Sequence, residues 1–158
     1  MKIILIRHGE AEGFKVSDNN RKLTPLGHKQ ANQTADYILG RYQPDMMVSS
    51  PYVRAMQTLE SFTDLMPGTG VKTLDYITPA DEAKEAVKKM SDEFEELNCL
   101  LVVCHMPIVA NIAATLIGER AEDYSLAEAR VIDTEVMAAD LGTLVDRFIP
   151  NQYEQCLF

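Results

Sequence analysis

Short, unbroken apolar runs alternate along this chain with longer stretches whose apolar residues recur every three or four positions. Ile3–Ile6 is continuously apolar, the pattern of a strand covered on both faces. A polar stretch from Gly9 to Lys22 follows, in which "SDNNRK" reads as a loop. Thr24 and Pro25 then form a helix N-cap and first helical residue, with Ala31, Ala35, Ile38, Leu39 and Tyr42 on one face. "DMMVSS" (45–50) is a second strand. Ser50 and Pro51 repeat the cap-plus-proline start ahead of Ala55, Leu59, Phe62 and Met66. A turn at "PGTG" (67–70) leads into an edge strand, "VKTLDYI" (71–77), and then an amphipathic helix from Asp81 to Leu97. "CLLVVC" (99–104) is the most strand-like run, and Pro107 opens a buried helix that ends at Ile117. Two further strands are expected at Val131–Ala138 and Leu144–Ile149, joined across Gly142.

Strand alternating with helix predicts an α/β protein: a three-layer α/β/α sandwich with a mostly parallel central sheet. No repeat, low-complexity tract or long linker divides the chain, so residues 1–158 are expected to form a single domain. In such sheets ligands sit beyond the carboxyl ends of the strands. Three segments land there: "RHGE" (7–10), "SSPYVR" (49–54) and "HMP" (105–107).

Composition narrows the function. A formal charge of −9 lacks the basic face that a nucleic-acid partner requires. No apolar run approaches the roughly 20 residues of a membrane span, and "KIILI" is too short for a signal-peptide core, which leads to the expectation of a cytoplasmic protein without membrane contact. The three cysteines, Cys99, Cys104 and Cys156, include no CxxC pair and are expected to stay reduced.

What converges at the strand ends suits a dianionic tetrahedral group. Arg7 and His8 leave the first strand, Arg54 lies in the first turn of a helix, and His105 precedes another. Arginine offers a planar fork of donors to phosphate oxygens, and helix N-termini add unpaired N–H groups. Gly9 lets backbone approach a ligand with no Cβ in the way.

In these residues the chain resembles the histidine phosphatase superfamily, which includes the cofactor-dependent phosphoglycerate mutases. "RHGE" (7–10) carries the signature. "LTPLGHKQA" (23–31) is similar to the family's LTxxGxxQA helix start, "SSPYVRAMQT" (49–58) to its SxxxRAxxT element, and "CHMP" (104–107) to the segment of the second catalytic histidine. In length and in its "SDNNRKLT" loop the chain resembles the bacterial SixA-type phosphohistidine phosphatases.

The resemblance implies that His8 is the nucleophile and is phosphorylated in passing, while Arg7, Arg54 and His105 hold the phosphoryl oxygens. Arg21, in the loop beside the strand ends, is a further candidate for contact with substrate phosphate or with the partner surface. No metal or cofactor is implied. The implied partners are phosphohistidine-containing proteins, such as histidine phosphotransfer domains of signalling kinases or carriers of the phosphotransferase system.

One feature separates substrate classes. An ester's alkoxide leaving group benefits from a general acid, worth roughly 10²–10⁴-fold, whereas imidazole, with a pKa of about 6.5, leaves with little help. Family members acting on esters supply a carboxylate between the second arginine and second histidine. Near a plausible strand end that interval offers only Asp75, Asp81 and Glu82, with no match to the pattern, and Glu10 stands beside the signature. The reading is therefore a phosphohistidine phosphatase. Its rivals are a small-molecule phosphomonoesterase or mutase on the same scaffold, favoured if Asp81 or Glu82 points into the site, and a non-catalytic module that captures phosphohistidine proteins. His28, among polar helix residues, reads as solvated. Cys104 reads as a small core residue, and Tyr52 and Tyr124 as partly buried packing.

Overall fold

Alternate residues of the central strands feed two separate cores, and this places helices on both sides of the sheet. In the computed structural model, which describes residues 1–13 and 17–153, β1 (Lys2–Arg7) and β4 (Cys99–Cys104) pair in parallel at the centre. Ile3, Leu5, Leu100 and Val102 enter one core, against α3 (Ala83–Phe94) and α4 (Ile108–Ile117). Ile4, Ile6, Leu101 and Val103 enter the other, against α1 (Pro25–Leu39) and α2 (Val53–Thr63). A period of two in strands buried on both faces therefore explains the continuous apolar runs.

The sheet has six strands in the order β3-β2-β4-β1-β5-β6. β3 (Gly70–Thr73), β2 (Met46–Ser49), β4 and β1 run parallel, whereas β5 (Ala129–Asp133) is antiparallel to β1 and to β6 (Thr143–Phe148). The expected mostly parallel α/β/α sandwich is thus present, with an antiparallel margin. No helix among the described residues is long and apolar enough to cross a membrane. Cys99 and Cys104 are free and buried, and Cys156 lies outside the described residues.

Several boundaries differ from expectation for local reasons. β3 is indeed an edge strand but stops at Thr73, because Leu74 and Ile77 are both buried in one core three positions apart, a spacing a strand cannot place on one face. α2 begins at Val53 rather than at Ser50–Pro51. Tyr52 is its N-cap, and the Ser50 hydroxyl accepts from the Tyr52 N–H at 3.1 Å. α3 begins two residues late because the Asp81 carboxylate turns back to accept from Thr78 N at 2.8 Å and Thr78 Oγ1 at 2.7 Å. It also ends early, with Leu97 closing a turn onto the Phe94 carbonyl at 3.1 Å. β5 runs from Ala129 to Asp133 rather than from Val131 to Ala138. Its end is fixed where Thr134 N–H donates to Met1 O at 2.9 Å and Thr134 Oγ1 to Val136 O at 2.6 Å. β6 spans Thr143–Phe148, one residue ahead of expectation, and follows Gly142.

Candidate active site

Hydrogen bonds fasten the loop after β1 to the two helices on its side of the sheet. Gly9 N–H donates to Thr58 Oγ1 at 3.0 Å, and Glu10 N–H donates to Gln30 Oε1 at 2.8 Å. Thr24 N–H donates to Glu10 O at 2.9 Å, while Thr24 Oγ1 accepts from Gly27 N as the N-cap of α1. Leu23 N–H donates to Gln57 Oε1 at 2.8 Å. The polar positions of the three N-terminal motifs therefore bond one another, which gives their spacing a physical reason.

The glycines answer a different need from the one expected at Gly9. A Cβ on Gly9 would lie 2.6 Å from the Gly27 carbonyl oxygen, and one on Gly27 would collide with the Glu10 carbonyl. Two backbones meet here without side chains, so that the "RHGE" turn rests directly on the first turn of α1.

His8 emerges from β1 with 8% of its surface exposed. Its Nδ1 lies 2.7 Å from the Gly9 carbonyl, which only accepts, so Nδ1 carries the proton. Arg54 Nε, which only donates, lies 3.3 Å from His8 Nε2, so Nε2 presents its lone pair. Burial pushes the His8 imidazole down to about 3, assisted by Arg54, Arg7 and Arg21 and opposed by the Gly9 hydrogen bond. The ring is neutral, in one tautomer, with a nucleophilic nitrogen facing a guanidinium.

His105, 1% exposed, stands with its ring centre 5.2 Å from that of His8. Its Nε2 lies 2.7 Å from Ser50 Oγ, and Tyr52 packs edge-on at 5.0 Å. Burial, together with His8 and Arg54, lowers it to about 2, so it too is neutral. His105 Nδ1 and Arg7 Nε are buried without a hydrogen-bond partner among the described residues. Arg7 Nε is a donor in every state, an unpaired buried donor is costly, and a phosphoryl oxygen is the kind of acceptor that would relieve it.

Arg54 is 3% exposed and uses its other nitrogens on Asp18: Nη1 donates to the carbonyl at 2.7 Å and Nη2 to Oδ2 at 3.2 Å. Arg21 completes the bridge, with Nη1 donating to Asp18 Oδ1 at 3.0 Å and Nε to Glu12 O at 2.7 Å. The Arg21 hydrogen bond leads the interactions that hold the Asp18 carboxyl below its usual range. Arg7 Nη1 donates to Tyr124 O at 2.7 Å. The structure thus brings His8, Arg54, Arg21 and His105 into one linked cluster, with Arg7 next to His8 in the chain. Asp18, from the loop after β1, and Ser50, ahead of α2, join it.

The remaining candidates fall outside this cluster. The Asp81 carboxylate is engaged by Thr78, and the Glu10 carboxylate accepts from Thr24 Oγ1 at 2.9 Å. Asp75 and Glu82 are exposed. His28 is exposed as expected, and Cys104 is a fully buried core residue as expected, with burial pushing its thiol up to about 12. Tyr124 is fully packed beneath Arg130 rather than partly buried, while Tyr52 is half-buried.

Comparison with known proteins agrees with this geometry. Residues 3–78 match the family model for the histidine phosphatase superfamily, branch 1. A phosphohistidine phosphatase SixA homolog of Haemophilus influenzae is 32% identical over 130 residues, covering 76% of this chain and 79% of the relative. Phosphohistidine phosphatase SixA of Escherichia coli is 29% identical over 119 residues, covering 73% and 74%. The structure of the protein histidine phosphatase SixA complexed with tungstate superposes with a TM-score of 0.84 at 24% identity, covering 95% of this chain and 97% of that one. The chain belongs to the histidine phosphatase superfamily and is a SixA-type member of it.

Proposed function

We propose that this protein is a phosphohistidine phosphatase, in which His8 Nε2 takes the phosphoryl group from a phosphohistidine on another protein and passes it to water. The observation that carries the reading is the state of His8: neutral, protonated on Nδ1 against the Gly9 carbonyl, with Nε2 free to attack. Its SixA relatives are phosphohistidine phosphatases, and the same substrate class fits these residues.

In the first step the Nε2 lone pair forms a bond to phosphorus in line with the departing nitrogen. The substrate's P–N bond breaks, and its electrons return to that nitrogen. Nucleophile and leaving group are both imidazoles bearing a proton on the distal nitrogen, so no proton need be transferred. The positive charge that grows on the His8 ring is met by the Gly9 carbonyl 2.7 Å from Nδ1. In the second step water attacks phosphorus, the His8 P–N bond breaks, and the water's proton passes to phosphate or solvent.

Arg7, Arg54 and His105 supply donors to the equatorial oxygens of a loose, charge-spread transition state. Arg21, tethered through Asp18, stands at the margin where phosphate or the partner's surface would meet it. A general acid is dispensable for an imidazole leaving group, in keeping with the engagement of Asp81 and Glu10 elsewhere. The partners are phosphohistidine-containing proteins, with histidine phosphotransfer domains and phosphotransferase-system carriers as the two kinds to examine.

The test is phosphate release from a phosphohistidine-bearing carrier protein, beside 3-phosphoglycerate and an aryl phosphate, with His8→Ala as control. Release from the phosphohistidine alone, abolished in the variant, is the expected result. Faster turnover of the esters would replace this reading with a small-molecule phosphomonoesterase, and release that survives loss of His8 would overturn the mechanism.

A further inference from the structure

The segment between α4 and β5 supplies no group to the reaction described above, yet it holds the backbone of both Arg7 and His8. Arg7 N–H donates to Glu128 O at 3.1 Å, and Ala127 N–H donates to His8 O at 3.0 Å. The same segment presents the Tyr124 carbonyl that receives Arg7 Nη1 at 2.7 Å. Ala127 sits at φ 54, a left-handed conformation that a non-glycine residue keeps only where its surroundings enforce it.

A buried charge network does the enforcing. The Glu128 side chain is fully buried, and its carboxylate accepts from Ser125 N at 2.8 Å, Arg130 Nε at 2.6 Å and Arg147 Nε at 2.8 Å. Arg130, 4% exposed, spends its remaining nitrogens on consecutive carbonyls: Nη1 on Glu122 O at 3.0 Å and Nη2 on Asp123 O at 2.6 Å. Its guanidinium carbon lies 3.8 Å from the centre of the Tyr124 ring. A buried ion pair is weak as a source of stability, because well-packed apolar residues often do as well. A guanidinium fork, by contrast, gives direction: it fixes two successive peptide units and thereby aims the next carbonyl. That next carbonyl is the one that holds Arg7.

We propose that Glu128 and Arg130 are positioning residues for Arg7, setting through the Tyr124 carbonyl the orientation in which the Arg7 guanidinium meets phosphoryl oxygens. The proposal rests on the role of Arg7 in the reaction proposed above. Arg130→Lys tests it, since lysine keeps a positive charge for Glu128 but lacks the planar fork that spans both carbonyls.

The readouts are the affinity for tungstate as an oxyanion probe, and kcat and KM with a histidine peptide phosphorylated by phosphoramidate, each measured alone and in an Arg7→Lys background. In the otherwise native protein, Arg130→Lys should weaken tungstate binding and raise KM by about tenfold. Once Arg7 is lysine, the second change should add almost nothing, because Arg130 acts through Arg7. Penalties that multiply, or a fall in melting temperature with tungstate affinity unchanged, would overturn the proposal. If Arg130→Lys does not fold, Glu128→Gln is read by the same cycle, and failure of both to fold would make the pair purely structural and overturn it as well. His8→Ala separates the two readings. Release that persists without His8 removes the proposed reaction, while the tungstate cycle still reports whether Arg130 sets Arg7.

Discussion

Arg54 Nε points at His8 Nε2 across 3.3 Å, a donor facing the nitrogen proposed to attack phosphorus. Before substrate binds, this contact selects the tautomer. When phosphorus arrives, the lone pair turns to it and the guanidinium is left beside the charge that builds on the phosphoryl oxygens. Arg54→Lys removes the planar Nε donor and both bonds to Asp18 in one change. The expected outcome is a fall of roughly 10²–10³ in kcat, the usual cost of losing one preorganised donor, measured by single-turnover phosphate release.

Asp18 poses a sharper question, because its two effects oppose each other. It orients Arg54 and Arg21, which favours turnover, yet it places a negative charge where an anion must bind. Asp18→Asn should therefore lower kcat by about tenfold through looser positioning while leaving KM unchanged or lower. Steady-state kinetics on a phosphohistidine peptide would show the split. A rise in KM with kcat intact would mean that Asp18 contacts the partner instead.

The contact between "RHGE" and α1 sets a purely steric test. Gly27→Ala drives a methyl group into the Glu10 carbonyl, and that backbone cannot retreat while Thr24 and Gln30 hold it. Overpacking of this kind costs about 1–3 kcal/mol, or roughly 3–10 °C in melting temperature for a domain of this size. Activity should fall further than stability, since the displaced turn carries His8. A thermal melt beside a kcat measurement separates the two effects.

Local pattern carried the scaffold. Ile3–Ile6 and Cys99–Cys104 read correctly because strands buried on both faces leave no room for polar residues, and α3 read clearly because one face of it is wet. Arg7, His8, Arg54 and His105 were legible as a set because Arg7 closes β1, His8 and His105 stand just beyond the ends of β1 and β4, and Arg54 lies in the first turn of α2. What escaped the sequence depends on distant partners. Ser50 looks like a helix cap until its hydroxyl is seen 2.7 Å from Nε2 of His105, 55 residues away. Asp18 looks like loop polarity until Arg54 reaches it across 36 residues. The early end of β3 follows from Leu74 and Ile77 sharing one core, and no local preference announces that.

The buried imidazoles link catalysis to acid stability. His8 and His105 are both driven neutral in the folded chain, to about 3 and about 2, whereas an unfolded histidine titrates near 6.5. Between these values the unfolded chain binds more protons than the folded one, so stability rises with pH across the window. Their contribution is fully present above about pH 6.5 and is lost as pH falls toward 3. At pH 5 each histidine should cost on the order of 2 kcal/mol relative to pH 7. Chemical denaturation at both pH values, on the native protein and on His105→Asn, measures this: the variant should lose less stability on acidification, by about that amount. Binding of phosphate or tungstate should narrow the difference, because an anion beside the rings favours their protonated forms. In the proposed mechanism catalysis follows the same sign: His8 stays neutral well below pH 6, so its ionisation should not give the single-turnover rate an acid limb with a pKa near 6.5. A limb at that value would mean that His8 titrates as an exposed histidine does, contrary to its burial.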